Sequence, residues 1–318
     1  MSPGGRGAAW RRIAELGLAV ALAAECVAFA ALSPHFLTAE NLLNVSLQAS
    51  ITAIIAAGMT FVILTGGIDL SVGSVVAVAG IVATSTLKAG LPPSAGIPLA
   101  ILAALAFGAL SGSIAGLFVT RFRVAPFIVT LALMTVWRGT AFVATEGRPI
   151  WELPESFGTL GSGRPLGVPL PSLVMLGVYA AAHVVLLHTR FGRYVLAVGG
   201  NAEAARLAGI RTGRVVAGVY VLCGVLSAAS GVLLASRMNS GQPNAGMMYE
   251  LDVIAAVVVG GTSLSGGRGS IAGTFLGAML IAVLRNGLNL LNVNSYVQQV
   301  VVGVVILLAV LADTTRKR

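Results

Sequence analysis

The residue types that carry catalytic chemistry are scattered in this sequence. Its three histidines, His35, His183 and His188, lie in no Ser-His-Asp arrangement. No GxxxxGK(S/T) loop is present, although that pattern is the one whose backbone amides and lysine hold nucleotide phosphates. The glycine-rich stretch 266–270 lacks this lysine and predicts a tight turn. We therefore expect no catalytic residue, no metal site and no cofactor in this chain.

Two pairs of polar residues could contact a small polar solute. Asp69 and Ser71 lie in the segment Gly-Gly-Ile-Asp-Leu-Ser, between two apolar runs. Either residue could cap the following helix, or the paired glycines could interrupt the helix and expose the carboxylate to a polar path. Asn286 and Asn289 lie three residues apart on one helical face, and their amides could contact a solute or pair between helices. The residues leave both choices open.

Three ionisable residues, Glu25, Arg138 and Arg285, lie inside apolar runs. Because charges are costly in an apolar environment, each is a candidate functional residue. We favour structural roles, since the arginines can pair with acids on neighbouring helices or extend along the apolar surface to its edge.

The stretch 200–209 predicts a short helix. Asn201 is a good N-cap, Glu203 places a negative charge in the first turn, and Gly209 suits the left-handed position after the helix. A helix from Ala202 to Ala208 is only ~10 Å long at ~1.5 Å per residue. It is too short to cross a membrane, so we expect it to lie along one membrane face and meet another protein. A plain linker between two spans is the alternative. The residues assigned to this element are Gly200, Asn201, Glu203, Ala204, Ala205, Arg206 and Gly209.

Composition places these elements in a membrane. The chain of 318 residues is 57% hydrophobic and only 10% charged, whereas soluble domains carry about 25% charged residues. Its 40 glycines favour closely packed helices, because small residues let helix backbones approach in lipid. We predict an all-α polytopic membrane helix bundle.

About ten apolar segments are expected to cross or enter the membrane. The third, eighth and tenth are short for the ~20 residues of a spanning helix, which predicts broken or re-entrant helices. We interpret residues 13–32 as a retained first helix. The predicted organisation is a tail at 1–12, a membrane domain at 13–313 and a second tail at 314–318. The segments are 13–33, 43–64, 72–87, 97–120, 124–145, 169–188, 215–236, 251–264, 270–291 and 296–312.

The formal net charge of +9 is explained by membrane topology and not by nucleic acid. The basic residues form short clusters between apolar runs and no continuous stripe. If both termini are cytoplasmic, most of the 20 Lys and Arg residues lie in inner loops, as the positive-inside rule requires. The outer side then carries a hydrophilic loop at 146–168, which we expect to dock another protein.

A Gly-Gly-x-x-Leu-Ser pattern occurs at 66–71 and again at 260–265. This recurrence predicts an internal repeat of helices, of the kind common in transporters. The ten-segment topology places both loops on the same side, and the orientation of the repeat stays open.

Three separated motifs, in order, resemble those of ribose-type permeases of sugar-import ABC transporters. They are GGIDLSVGS at 66–74, GNAEAARLAGI at 200–210 and VVVGGTSLSGGRGSIAGTFLGA at 257–278. The resemblance extends from about Asn41 to Leu311. It implies a bacterial inner-membrane subunit that translocates a pentose or hexose.

The resemblance also implies partners and a role for the short helix. A second permease subunit, identical or paralogous, cytoplasmic ATPase subunits that bind ATP and Mg, and an extracytoplasmic sugar-binding protein are expected, with lipid around the bundle. The 200–209 element becomes the ATPase-coupling helix. The alternatives are an ABC permease for a branched-chain amino acid or nucleoside, or an ion-coupled carrier, for which only Asp69 and Glu25 could serve as buried acids.

Overall fold

The computed structural model describes residues 3–315, and this part of the chain is helical without a β-strand. A single antiparallel bridge joins Ile150 and Gly241, and a 3-10 turn spans Pro165–Gly167. The helices are α1 (Pro3–Leu32), α2 (Ala39–Leu64), α3 (Val72–Leu87), α4 (Pro93–Thr120), α5 (Pro126–Thr145), α6 (Glu155–Ser162), α7 (Leu170–His188), α8 (Arg190–Gly200), α9 (Ala202–Leu207), α10 (Thr212–Met238), α11 (Tyr249–Val259), α12 (Ile271–Leu290) and α13 (Ser295–Thr315).

Each of the ten predicted apolar segments coincides with one helix, so the prediction of an all-α polytopic membrane bundle is confirmed. Among the residues whose side chains the structure describes, six helices are long and apolar enough to cross a membrane, namely α2, α4, α5, α7, α10 and α12. The helix α3 is shorter, with 16 residues. The predicted tail at 1–12 continues α1 as helix from Pro3 onwards, and residues 316–318 of the second tail lie outside the described range.

Small residues bring the central helices together. The helix α10 packs on α2, α3 and α4. A Cβ added at Gly108 of α4 would lie 2.9 Å from the carbonyl carbon of Gly224 in α10, and one added at Gly224 would lie 3.2 Å from that of Gly108. Backbones in such direct contact gain dispersion energy where lipid supplies no hydrophobic force. This explains why the chain carries so many glycines.

The helix ends fall on two faces of the bundle. On one, which we call the α9 face, the loops after α2 and α11 meet, because the Gly267 amide donates to the Leu64 carbonyl at 2.9 Å. On the other, the α6 face, Lys88 pairs with Glu152 at 3.1 Å. The two Gly-Gly loops therefore lie on the same side, as the ten-segment topology predicted.

The eighth segment is a broken helix. The helix α11 has only 11 residues, and residues 239–248 before it form a bridge and turns. This stretch lies alongside α3. A Cβ added at Gly241 would lie 3.1 Å from Thr84 Cβ, and one added at Gly246 would lie 3.2 Å from the Gly73 carbonyl carbon. The part of α3 between Gly73 and Thr84 is ~16 Å long, about half the ~30 Å hydrocarbon core. Non-helical backbone thus extends deep into the membrane.

The helix α8 was not predicted. Thr189 begins it by accepting a hydrogen bond from the Gly192 amide at 3.2 Å. Its Val195 and Val198 are buried, while Arg193 and Tyr194 are exposed. It is therefore an amphipathic helix on the α9 face.

Candidate functional site

The short helix α9 is built as its sequence predicts. The Asn201 side chain accepts a hydrogen bond from the Ala204 amide at 2.9 Å. At the other end Gly209 has a φ of 83°, and the amides of Gly209 and Ile210 donate to the carbonyls of Arg206 and Ala205, each at 3.0 Å. Caps at both ends satisfy backbone groups that a helix of six residues would otherwise leave free.

The first residue of this element belongs to the preceding helix. Gly200 is the last residue of α8 and not part of the short helix, because Asn201 is extended and separates the two helices. The observed α9 also ends at Leu207, one residue before the predicted end.

The surface of α9 faces outward. Ala205 is buried, whereas Glu203, Ala204 and Arg206 are exposed. Arg206 donates to the Glu203 carboxylate from two nitrogens, at 3.0 and 3.1 Å, and such exposed pairs contribute only about 0–1 kcal/mol. Leu207, which the sequence analysis did not assign to the site, is 80% exposed.

Gly199 fixes α8, and with it α9, to the two Gly-Gly loops. A Cβ added to Gly199 would collide with the Leu64 carbonyl oxygen and would lie 2.5 Å from the Gly267 nitrogen. The neighbouring Gly200 has nothing within 4 Å of an added Cβ. The end of α2 and the loop after α11 therefore meet the helix that leads directly into α9.

Asp69 and Ser71 hold each other at the start of α3. Gly66, with a φ of 80°, ends α2, and the chain then turns back towards the membrane interior. The Asp69 carboxylate accepts from the Ser71 amide at 2.9 Å and from the Ser71 hydroxyl at 2.6 Å. Asp69 is only 2% exposed. These contacts form an Asx turn just before α3, and the N-cap residue Ser71 makes no side-chain capping hydrogen bond to the helix.

Asn286 and Asn289 are not brought together. Asn286 is 5% exposed and exchanges hydrogen bonds with Asn41 of α2, at 3.0 and 2.9 Å. Asn289 is exposed. Of the alternatives for these amides, pairing between helices is observed for Asn286.

The broken stretch 239–248 is a polar element that sequence reasoning missed. Arg138 of α5 donates to the carbonyls of Pro243 and Ala245, at 2.7 and 2.8 Å. Backbone groups at membrane depth need such partners, because lipid offers none. Asn244 is exposed beside the exposed Met247. The signal that could have revealed this element is the glycine and proline content between two apolar runs.

The other ionisable residues inside the bundle have structural contacts or none. Arg285 of α12 pairs with Asp252 of α11, so the predicted pairing of this arginine with an acid on a neighbouring helix is confirmed. Arg138 contacts carbonyls in place of an acid. One carboxylate oxygen of Glu25 is buried without a hydrogen-bond partner among the described residues.

The comparisons place this architecture in a family. The family model described as "Branched-chain amino acid transport system / permease component" matches residues 41–310. The chain belongs to this family. The permease is 50% identical over 290 residues to the ribose import permease protein RbsC of Escherichia coli (strain K12), covering 90% of this chain and 89% of that relative.

Two further relatives agree. The ribose import permease protein RbsC of Bacillus subtilis (strain 168) is 48% identical, with 89% of this chain and 87% of the relative covered. The L-arabinose transport system permease protein AraH of Escherichia coli (strain K12) is 38% identical, with 96% and 92% covered. No solved structure matches this permease. The resemblance to ribose-type permeases, which three motifs indicated, is confirmed.

Proposed function

We propose that this permease is the membrane-spanning subunit of a bacterial inner-membrane ABC importer for a small sugar, with a ribose-like pentose as the first substrate to test and a hexose as the next. The observation that carries this proposal is the 50% identity to a ribose import permease over 90% of the chain. The aligned region covers the membrane helices as well as the loops, so it includes the residues that would line the solute path.

The helix α9 is the proposed coupling element, docking on a cytoplasmic ATPase subunit that binds ATP and Mg. Its caps make it rigid without help from a partner, and its exposed side chains leave a surface for one. Because Gly199 packs against the end of α2 and the loop after α11, movement of α9 would be transmitted to both repeated loops. A rigid element joined to packed helices is what a bistable switch requires.

The remaining partners follow from the same assignment. With the α9 face in the cytoplasm, both termini are cytoplasmic, and the loop 146–168 with α6 faces outward, where an extracytoplasmic sugar-binding protein would dock. A second permease subunit, identical or paralogous, would complete the path.

The sugar path is proposed to follow the broken stretch 239–248. Asn244 offers both a hydrogen-bond donor and an acceptor to sugar hydroxyls, and it is exposed on non-helical backbone inside the membrane. Arg138 keeps this backbone ordered through two carbonyls. In contrast, Asp69 and Ser71 are buried against each other.

A branched-chain amino acid is the second candidate substrate, because the matching family model carries that description. Purified permease, ATPase and binding protein reconstituted in vesicles distinguish the two. ATP-dependent uptake of labelled ribose and not leucine is the expected result, and uptake of leucine alone would replace the sugar assignment.

The class of transporter is tested by affinity purification from detergent-solubilised bacterial membranes, followed by mass spectrometry. We expect an ATPase to be retained by the wild-type permease and lost with Leu207→Asp. The matched control is Leu166→Asp on the α6 face, where Leu166 is 98% exposed. Recovery of the permease without any ATPase would overturn ABC import in favour of an ion-coupled carrier.

A further inference from the structure

An apolar cavity of about 320 Å³ opens between α2, α7 and α10. Both α7 and α10 pack on α2, while their contact with each other is at most marginal. The cavity thus occupies a cleft between two membrane helices, with α2 as its floor. Residues of one face of α7 line it, at spacings of three and four positions: Val178, Ala181, Ala182 and Val185.

Aromatic rings close the cavity towards the α9 face. Phe61 of α2 and Phe191 of α8 line it and stack with their ring centroids 6.4 Å apart. Phe191 also reaches α10, since a Cβ added at Gly218 would lie 3.2 Å from its ring. The cavity therefore lies in the half of the bundle next to the α9 face, and its end is formed by the first turn of α8.

The lining excludes most occupants. A sugar would find no hydrogen-bond partner among the lining side chains, and water does not fill an apolar cavity. The volume lies within the ~300–1,000 Å³ range of apolar ligand sites. A flexible hydrocarbon chain is the occupant that the shape and the lining admit.

Positive charge surrounds the end of this cavity. Arg190 directly precedes Phe191, and Arg214 lies one helical turn before Gly218. Both arginines are exposed, and neither belongs to an ion pair among the side chains that the structure describes. Exposed Tyr194 on the same amphipathic helix is typical of a residue at the lipid headgroup level.

We propose that this cleft is a binding site for an anionic phospholipid, with one acyl chain between α7 and α10 and the headgroup phosphate at Arg190 and Arg214. Uncharged apolar ligands would occupy only the cleft between α7 and α10 and would not contact the two arginines. Bound lipid would stabilise the first turn of α8, the helix that leads into α9.

The test is lipid titration of the purified full-length permease in detergent, followed by native mass spectrometry. Phosphatidylglycerol and phosphatidylcholine with the same acyl chains are compared. We expect phosphatidylglycerol to bind more tightly, and the double variant Arg190→Gln and Arg214→Gln to weaken its binding by about fivefold per arginine, since a basic residue at the lipid surface contributes about that factor. Phosphatidylcholine binding should be unchanged.

The acyl-chain half is tested by Ala181→Phe, which places a ring in the cleft from an exposed position. Displacing ~2 methylenes should weaken binding of both lipids by about tenfold. The controls are Ala106→Phe on the exposed face of α4 and the pair Arg148→Gln and Arg164→Gln at the α6 face.

Two results would overturn the site. If the control variants weaken binding as much as the cleft variants, the lipids bind around the whole bundle without a defined site. If phosphatidylglycerol shows no preference over phosphatidylcholine in the wild-type permease, the two arginines do not hold a headgroup.

Discussion

Asn41 of α2 and Asn286 of α12 exchange two side-chain hydrogen bonds across 245 residues of sequence. Asn41 donates in addition to the Phe36 carbonyl at 2.8 Å. The two helices belong to different halves of the chain, and this pair joins them near the α6 face. Amides are suited to such a position because each offers donors and an acceptor, so one pair satisfies both side chains.

We predict that Asn286→Leu lowers the free energy of unfolding by about 1–2 kcal/mol, because it leaves the Asn41 amide without its partner. Asn289→Leu, at an exposed position three residues on, should change it by less than about 0.5 kcal/mol. Thermal denaturation in detergent measures both. The double variant Asn41→Leu and Asn286→Leu should lose less than the sum of its single variants. Strict additivity would contradict a direct interaction.

The sequence was sufficient to predict the elements whose structure depends only on residues close to them in the chain. Ten apolar segments correspond to ten helices, because the hydropathy of a segment identifies a membrane helix directly. The caps of α9 were predicted correctly, because Asn201 and Gly209 act within a few residues of their own positions.

What the sequence could not supply are contacts between distant segments. Asn286 pairs with Asn41, and Arg285 pairs with Asp252. No local sequence pattern indicates either pairing. The helix α8 was missed because it is short and amphipathic: its buried Val195 and Val198 are interrupted by exposed residues, so it forms no continuous apolar run. The broken stretch before α11 depends on Arg138, which lies 105 residues from Pro243.

We predict that Asp69→Asn retains normal folding and uptake, whereas Asp69→Ala lowers stability by about 1–2 kcal/mol. The asparagine carbonyl can accept the hydrogen bonds from Ser71 that the carboxylate accepts now, while alanine accepts none. Protein yield, thermal denaturation and sugar uptake in vesicles are the measurements. If Asp69→Asn abolishes uptake at wild-type stability, the carboxylate itself contacts the solute, and the pathway alternative is correct.

We predict that Asn244→Cys reacts with a hydrophilic, membrane-impermeant maleimide, and that added substrate sugar slows the reaction. The variant is made in a background where Cys26 and Cys223 are alanine. Leu102→Cys, at an exposed position on α4, is the control and should react many times more slowly, because it faces lipid. The rate of labelling is followed by mass spectrometry of the intact permease. Equal rates at the two positions would exclude a water-filled path along 239–248.

Gly199→Ala should damage the permease, and Gly200→Ala should not. Replacing glycine by alanine inside a helix is favourable by about 1 kcal/mol from propensity alone, so a loss at Gly199 reports packing and not helix formation. The added methyl group would collide with the backbone at Leu64 and Gly267, whereas at Gly200 it meets open space. We expect Gly199→Ala to lower the free energy of unfolding by about 1–3 kcal/mol and to reduce ATP-dependent uptake, because α8 must move away from the end of α2 and from the loop after α11. Thermal denaturation and vesicle uptake measure these effects. If Gly199→Ala shows wild-type uptake and an unchanged ATPase rate, the contact at Gly199 does not transmit movement of α9 to the two loops, and the proposed transmission is refuted.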